Sequence, residues 1–156
     1  MGELRQRRNA LQEREVALSY VRRQVQARLD IVLDELAHRT AGAPARDAGE
    51  LVAELPKILA ERGGRSARGS FPEIAAPTDE VEAVVADLDR ILDVAALGSL
   101  AGRSDGLLQT AAAELGAMER RVSQRRRSLH AAIDAVQEEM LRRYKSGEAS
   151  VDALLP

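Results

Sequence analysis

The chain has 156 residues, enough for one domain with a real core, and its net charge of −2 gives it no overall character of a nucleic-acid-binding protein. Cysteine is absent and the aromatics are only Phe71, Tyr20 and Tyr144, which excludes disulfide and thiol chemistry; the abundance of Ala, Leu, Val, Arg and Glu argues for helices packed side by side. No apolar run approaches the ~20 residues of a membrane span and no signal-peptide core opens the chain, so a cytoplasmic protein without membrane association is expected.

In chain order, a long helix is predicted over residues 3–39, with Gly42 as the cap beyond its last turn. At ~1.5 Å per residue it is about 55 Å long. Residues 40–78 read as a connector. It holds a short helix with Leu51, Leu55, Ile58 and Leu59 on one face, and Pro56 inside that pattern predicts a break or kink. The Gly/Ser/Arg stretch 63–70 has loop composition and is expected to be mobile. Thr78 or Asp79, with Glu82 following, marks a capped start. The amphipathic helix behind it, 79–97, places Val81, Val84, Val85, Leu88, Ile91, Leu92 and Ala95 at helical spacing. That face serves either packing on the long helices or docking of a partner. Gly98, Gly102, Ser104 and Asp105 form a break and a new cap, and a second long helix follows over 105–145, stopped by Gly147. Val151, Ala153, Leu154 and Leu155 could add a last turn, and nothing reads as a strand. The fold class is therefore all-α, a single domain. Two long helices form an antiparallel coiled coil, with one or two shorter helices in the connection.

The long helices share a polar skeleton. Glu15, Ser19, Arg22, Gln26 and Asp30 recur as Glu119, Ser123, Arg126, His130 and Asp134, a register of 104 residues. The pattern is Glu-x3-Ser-x2-Arg-x3-(Gln/His)-x3-Asp, and at ~100° per residue its five side chains fall within an arc of about 80°. The apolar register sharpens the point. Leu4, Leu11, Leu18, Val25 and Val32 recur every seven residues, as do Leu108, Leu115, Val122, Leu129 and Val136. The companion seams read Arg8, Glu15, Arg22, Leu29, Leu36 and Ala112, Glu119, Arg126, Ile133, Met140. Glu and Arg thus stand in both helices where a coiled coil wants Leu or Ile. Charges at a seam are expensive unless paired, and fixing register needs one polar residue rather than five in a repeated order. The stripes read as a binding site, and on antiparallel helices they lie near a local two-fold.

The residue types indicate the ligand class. An Arg fork matches the O6/N7 edge of guanine or a phosphate, and carboxylates complement guanine's N1–H and N2–H2 donors. Ser, Gln and His can reach phosphate or sugar. A guanine nucleotide suits the stripe, with the crowded arginines Arg120, Arg121, Arg125, Arg126 and Arg127 offsetting phosphate charge. No Gly-rich phosphate loop is present.

The twice-written motif on an antiparallel coiled coil resembles the signature of the RsiG family of actinobacterial anti-sigma factors. The resemblance implies a protein that binds cyclic di-GMP, two molecules as an intercalated dimer, through Glu15, Ser19, Arg22, Gln26, Asp30, Glu119, Ser123, Arg126, His130 and Asp134. It implies further that the loaded protein sequesters a WhiG-type sporulation sigma factor, with no direct contact to DNA. His130 departs from the family pattern, which has Gln there.

Plainer readings stand beside this one. Glu35 and His38 form a Glu-x-x-His pair of the kind used in di-iron bundles, but His130 has Arg127 three residues before it, so the ligand set is incomplete. Arg125 and Arg127 fall off the stripe and are expected in solvent or facing a ligand or partner; Arg65 and Arg68 are expected to serve solubility. A structural coiled-coil module with no nucleotide is the alternative to the regulator, and no nucleophile–base pair suggests an enzyme.

Overall fold

A computed structural model describes residues 1–62 and 79–147. The expected mobile stretch 63–70, Arg65 and Arg68, the cap at Thr78 and the final turn around Leu154 lie outside the described residues. All regular structure among the described residues is helical: α1 (Gly2–Thr40), α2 (Ala48–Arg62), α3 (Asp79–Ile91), α4 (Val94–Leu97), a 3-10 turn (Leu100–Gly102) and α5 (Asp105–Lys145).

Helices α1 and α5 pack along their length in antiparallel sense. Arg5 near the start of α1 donates to the Tyr144 hydroxyl at the end of α5 (2.8 Å), and Arg39 at the other end of α1 meets Asp105 (3.0 Å). The heptad seams hold this pair together. Leu18, Val25 and Val32 of α1 are buried, as are Leu108, Leu115, Val122, Leu129 and Val136 of α5. Neither helix could bury its apolar stripe alone, so the pairing itself stabilises both. Their ends follow local chemistry. Ser104 Oγ accepts from the Leu107 amide (3.4 Å) to start α5, and Gly42 and Gly147 take φ of 84° and 77° just past the ends of α1 and α5. Those left-handed conformations are ones that glycine adopts without steric cost.

A second layer, α2 and α3, packs on the half of the pair that ends at Thr40 and Asp105. Leu51 and Ile58 of α2 and Val81, Leu88 and Leu92 join one core with Val21 to Val32 of α1 and Leu108 to Val122 of α5. The apolar face of the amphipathic helix is therefore used for packing on the long helices. Two expectations are corrected here. Pro56 does not break α2, which runs uninterrupted through it. Pro56 removes the amide that would bond the Val52 carbonyl, but both residues lie on the exposed face, where water can satisfy that carbonyl. The helix expected over 79–97 is two helices. The helix is interrupted at Leu92 and Asp93, and the Asp93 carboxylate caps α4 by accepting from the Ala96 amide (2.6 Å). The turn carries Ala96 into the core and leaves Ala95 exposed, the reverse of a continuous helix.

The break is held from α1. Arg28, only 6% exposed, donates through Nη1 to the Leu92 carbonyl (2.6 Å) and to Asp89 (2.7 Å). A cation thus closes the carboxyl end of α3, where the helix dipole favours one. Glu35 and Arg39 do similar work at the closed end of the pair. Arg39 donates to Glu35 (2.7 Å) and to the carbonyls of Arg103 and Leu100 (both 2.8 Å), tying the 3-10 turn to α1. Glu35 is almost fully buried, and the Arg46 amide also donates to it (3.3 Å). Glu35 therefore belongs to this clamp, with Arg39 and Arg46, rather than to a metal pair with His38.

Candidate functional site

The two motifs meet at the middle of the helix pair, and they meet crosswise. Arg22 of the first donates through Nε to Glu119 of the second (2.9 Å), and Arg126 of the second donates through Nε to Glu15 of the first (2.8 Å). Each Ser supports the Glu of its own motif one helical turn away: Ser19 Oγ donates to Glu15 and Ser123 Oγ to Glu119, both at 2.7 Å. Four-residue spacing puts Glu and Ser on one helix face, and antiparallel pairing brings the opposite Arg between them. The fourth motif position repeats the pattern. Gln26 Nε2 lies 3.3 Å from Glu119 Oε1, and His130 Nε2 lies 3.3 Å from Glu15 Oε1. His130 thus takes the place that Gln26 takes in the other half-site.

This layer explains how charge is tolerated at a seam. All four residues of the crossed pairs are partly buried, and each acid has a partner across the interface. Burial pushes both Glu15 and Glu119 upward. Hydrogen bonds from Ser19 and Arg126 to Glu15, and from Ser123 and Arg22 to Glu119, outweigh it and hold both carboxyls below their ordinary range. Both remain carboxylates at neutral pH.

The same geometry leaves chemistry unspent. All three polar contacts to each Glu converge on its Oε1. Among the described residues, no hydrogen bond reaches Oε2 of Glu15 or Glu119, and neither Nη group of Arg22 has a partner. Arg126 offers Nη2 to His130 at 3.3 Å. Each half-site therefore presents a guanidinium edge beside a carboxylate oxygen, that is, donors and an acceptor side by side.

The fifth residues differ. Asp30 is half-buried beside a cleft of about 480 Å3, whereas Asp134 is exposed on the outer surface. The cleft opens against the first half-site, between α1, α5 and the end of α2, with Gln26, Asp30 and Glu119 on its polar side. Its other walls include Arg23, Leu59, Gly116 and Arg120, none of which belongs to the motif. Gly116 was passed over in the sequence, although one signal could have found it: a glycine in the interior of a helix costs stability and calls for a reason. Leu59 carries no such mark, since only tertiary packing brings it there. Arg125 and Arg127 are exposed, as their places off the stripe predict.

The chain is thus an antiparallel helical coiled coil whose seam is interrupted by two matched polar half-sites. The chain matches the RsiG-like family over residues 1–59 and 95–156, and it belongs to that family of regulatory anti-sigma factors. The matched segments hold both motifs whole. A comparison with curated proteins gives no match. No helix among the described residues is long and apolar enough to cross a membrane.

Proposed function

We propose that this protein is an anti-sigma factor armed by cyclic di-GMP, which it binds at the two crossed half-sites, and that the loaded form sequesters a WhiG-type sigma factor and so blocks transcription. The observation that carries the reading is the crossed layer itself, in which Arg22 and Arg126 are held through Nε by the opposite Glu. Anchoring the guanidinium on one side fixes its plane and leaves the Nη edge to face a ligand, which lowers the ordering cost of a bidentate contact. Guanine fits such a site from either edge, its O6 and N7 taking the arginine and its N1–H and N2–H2 the free carboxylate oxygens. Two related half-sites suit two nucleotides, or one ligand with two-fold symmetry.

The excess of arginine around the layer favours an anionic ligand. Arg14, Arg22, Arg23 and Arg120, Arg121, Arg125, Arg126, Arg127 cluster at this level of the helix pair, although the whole chain is slightly acidic. Isothermal titration of the protein with cyclic di-GMP, with GTP and cyclic di-AMP as controls, tests the ligand. Binding selective for cyclic di-GMP is expected. Absence of binding would leave a structural coiled coil whose polar layer sets register.

A further inference from the structure

The half-sites match in their motifs but not in their surroundings. The cleft beside the first is lined by Gly116 and Ala27 of the long helices, by Leu59 of α2, and by Arg23 and Arg120. Applying the 104-residue register to the cleft shows which parts the second half-site shares. Arg23 and Ala27 have counterparts in Arg127 and Ala131, but Gly116 corresponds to Gln12, Arg120 to Val16, and Leu59 to nothing. Gly116, Arg120 and the apolar Leu59 are thus peculiar to the first half-site.

We infer that the cleft is a base-binding pocket, in which one guanine of the nucleotide lies flat over Gly116 and Ala27 against Leu59, and that α2 is part of the ligand site. The inference rests on the cyclic di-GMP reading above. Three observations support it independently of the motif. Leu59, which lines the cleft, is a large apolar side chain left 39% exposed, while Leu51 and Ile58 of the same helix are buried. A purine face is apolar, and burying it against Leu59 removes apolar surface of both from water. The cleft's 480 Å3 lies within the roughly 300–1,000 Å3 typical of small-molecule pockets. Finally, Gly116 contributes no side chain to the cleft it lines. A Cβ placed there meets only Arg120 Nη1, at 3.5 Å. The packing of the helices therefore does not demand a glycine at 116. Room for a flat ligand gives it a purpose, with Arg120 lining the same cleft for a phosphate.

The test uses the full chain and cyclic di-GMP in a calorimetric titration of wild type, Gly116→Leu, Leu59→Ala and Arg22→Ala, with the melting temperature of each variant measured without ligand. Gly116→Leu should melt no lower than wild type, since leucine is the better helix former, yet lose affinity by at least about tenfold because its side chain fills the cleft. Leu59→Ala should lose about fivefold, the size expected when a few tens of Å2 of apolar contact go. Tight wild-type binding that Arg22→Ala weakens, with Gly116→Leu and Leu59→Ala both at wild-type affinity, would overturn the pocket and leave the motif reading intact. Wild type that does not bind cyclic di-GMP at all would overturn the motif reading and the pocket together.

Discussion

Arg22 and Arg126 each join a structural pair and offer an edge to solvent, and the two roles separate experimentally. Arg22→Ala removes the charged donor to Glu119 but leaves Ser123 of the same helix and Gln26 from across the pair, and alanine is the better helix former. Helicity by circular dichroism should stay within a few per cent of wild type, while nucleotide affinity falls by about tenfold or more, the scale of a lost charge-assisted contact. A strong loss of helicity with unchanged affinity would make the arginine structural. Acid provides a second probe. Glu15 and Glu119 are held below their ordinary carboxyl range when folded, so the stability they contribute is fully present above the unfolded value of about 4.3. It is lost as pH falls through the lowered folded values. The melting temperature should decline below about pH 5, and less steeply in a Ser19→Ala, Ser123→Ala double variant, which lacks two of the hydrogen bonds that favour the charged form. His130 adds a choice between partners. Its Nε2 lies 3.3 Å both from Glu15 Oε1 and from Arg126 Nη2, and it can donate to the first only when it carries a hydrogen and accept from the second only when it does not.

At the scale of elements, the long helices and their motifs were legible because both rest on local periodicity: seams every seven residues, and polar steps of four and three. What escaped the sequence depends on which third element a residue meets. Val21, Arg28 and Glu35 form another seven-residue row in α1, and all three are buried, Arg28 against the end of α3 and Glu35 against the connection at Arg46. An Arg and a Glu in that row read as surface until their partners, Asp89, the Leu92 carbonyl and Arg39, are known. The turn at Leu92 was hidden for the same reason, since nothing in the local pattern shows an arginine 64 residues away closing the helix end. Leu59 in the cleft is a third case. The buried Arg28 should matter accordingly. Arg28→Ala leaves the Leu92 carbonyl without this donor, and a loss of about 2–3 kcal/mol is expected, read as a lower denaturant midpoint. Gly116→Ala should act in the other direction, raising stability by about 0.5–1 kcal/mol, because the added methyl fits and helix interiors disfavour glycine.

Across the whole molecule, any coupling between ligand and partner must be reciprocal. Whatever factor cyclic di-GMP contributes to the affinity for a sigma factor, the sigma factor must return for cyclic di-GMP. Co-sedimentation with a WhiG-type sigma factor should show a complex that depends on the nucleotide, and calorimetry in the presence of the sigma factor should show tighter nucleotide binding by the same factor. A complex indifferent to the nucleotide would describe an ordinary anti-sigma factor.

The uneven second layer divides the rod into a thick half and a thin one, and the polar layer lies near the boundary between them. In the thick half Leu108, Leu115, Val25 and Val32 are completely sealed, whereas Leu129, Val136 and Met140 of the thin half keep 7–9% of their surface exposed even with both helices formed. Backbone amides should report that difference as a gradient in hydrogen exchange. Protection should be greatest around 25–36 and 108–122 and fall steadily toward residue 5 and residue 143, since local opening there breaks fewer buried contacts. A ligand spanning the crossed pairs would fasten the thin half to the thick one, so the largest gain in protection on nucleotide binding should appear near residues 11–19 and 126–136, at the edge of the contact and beyond it.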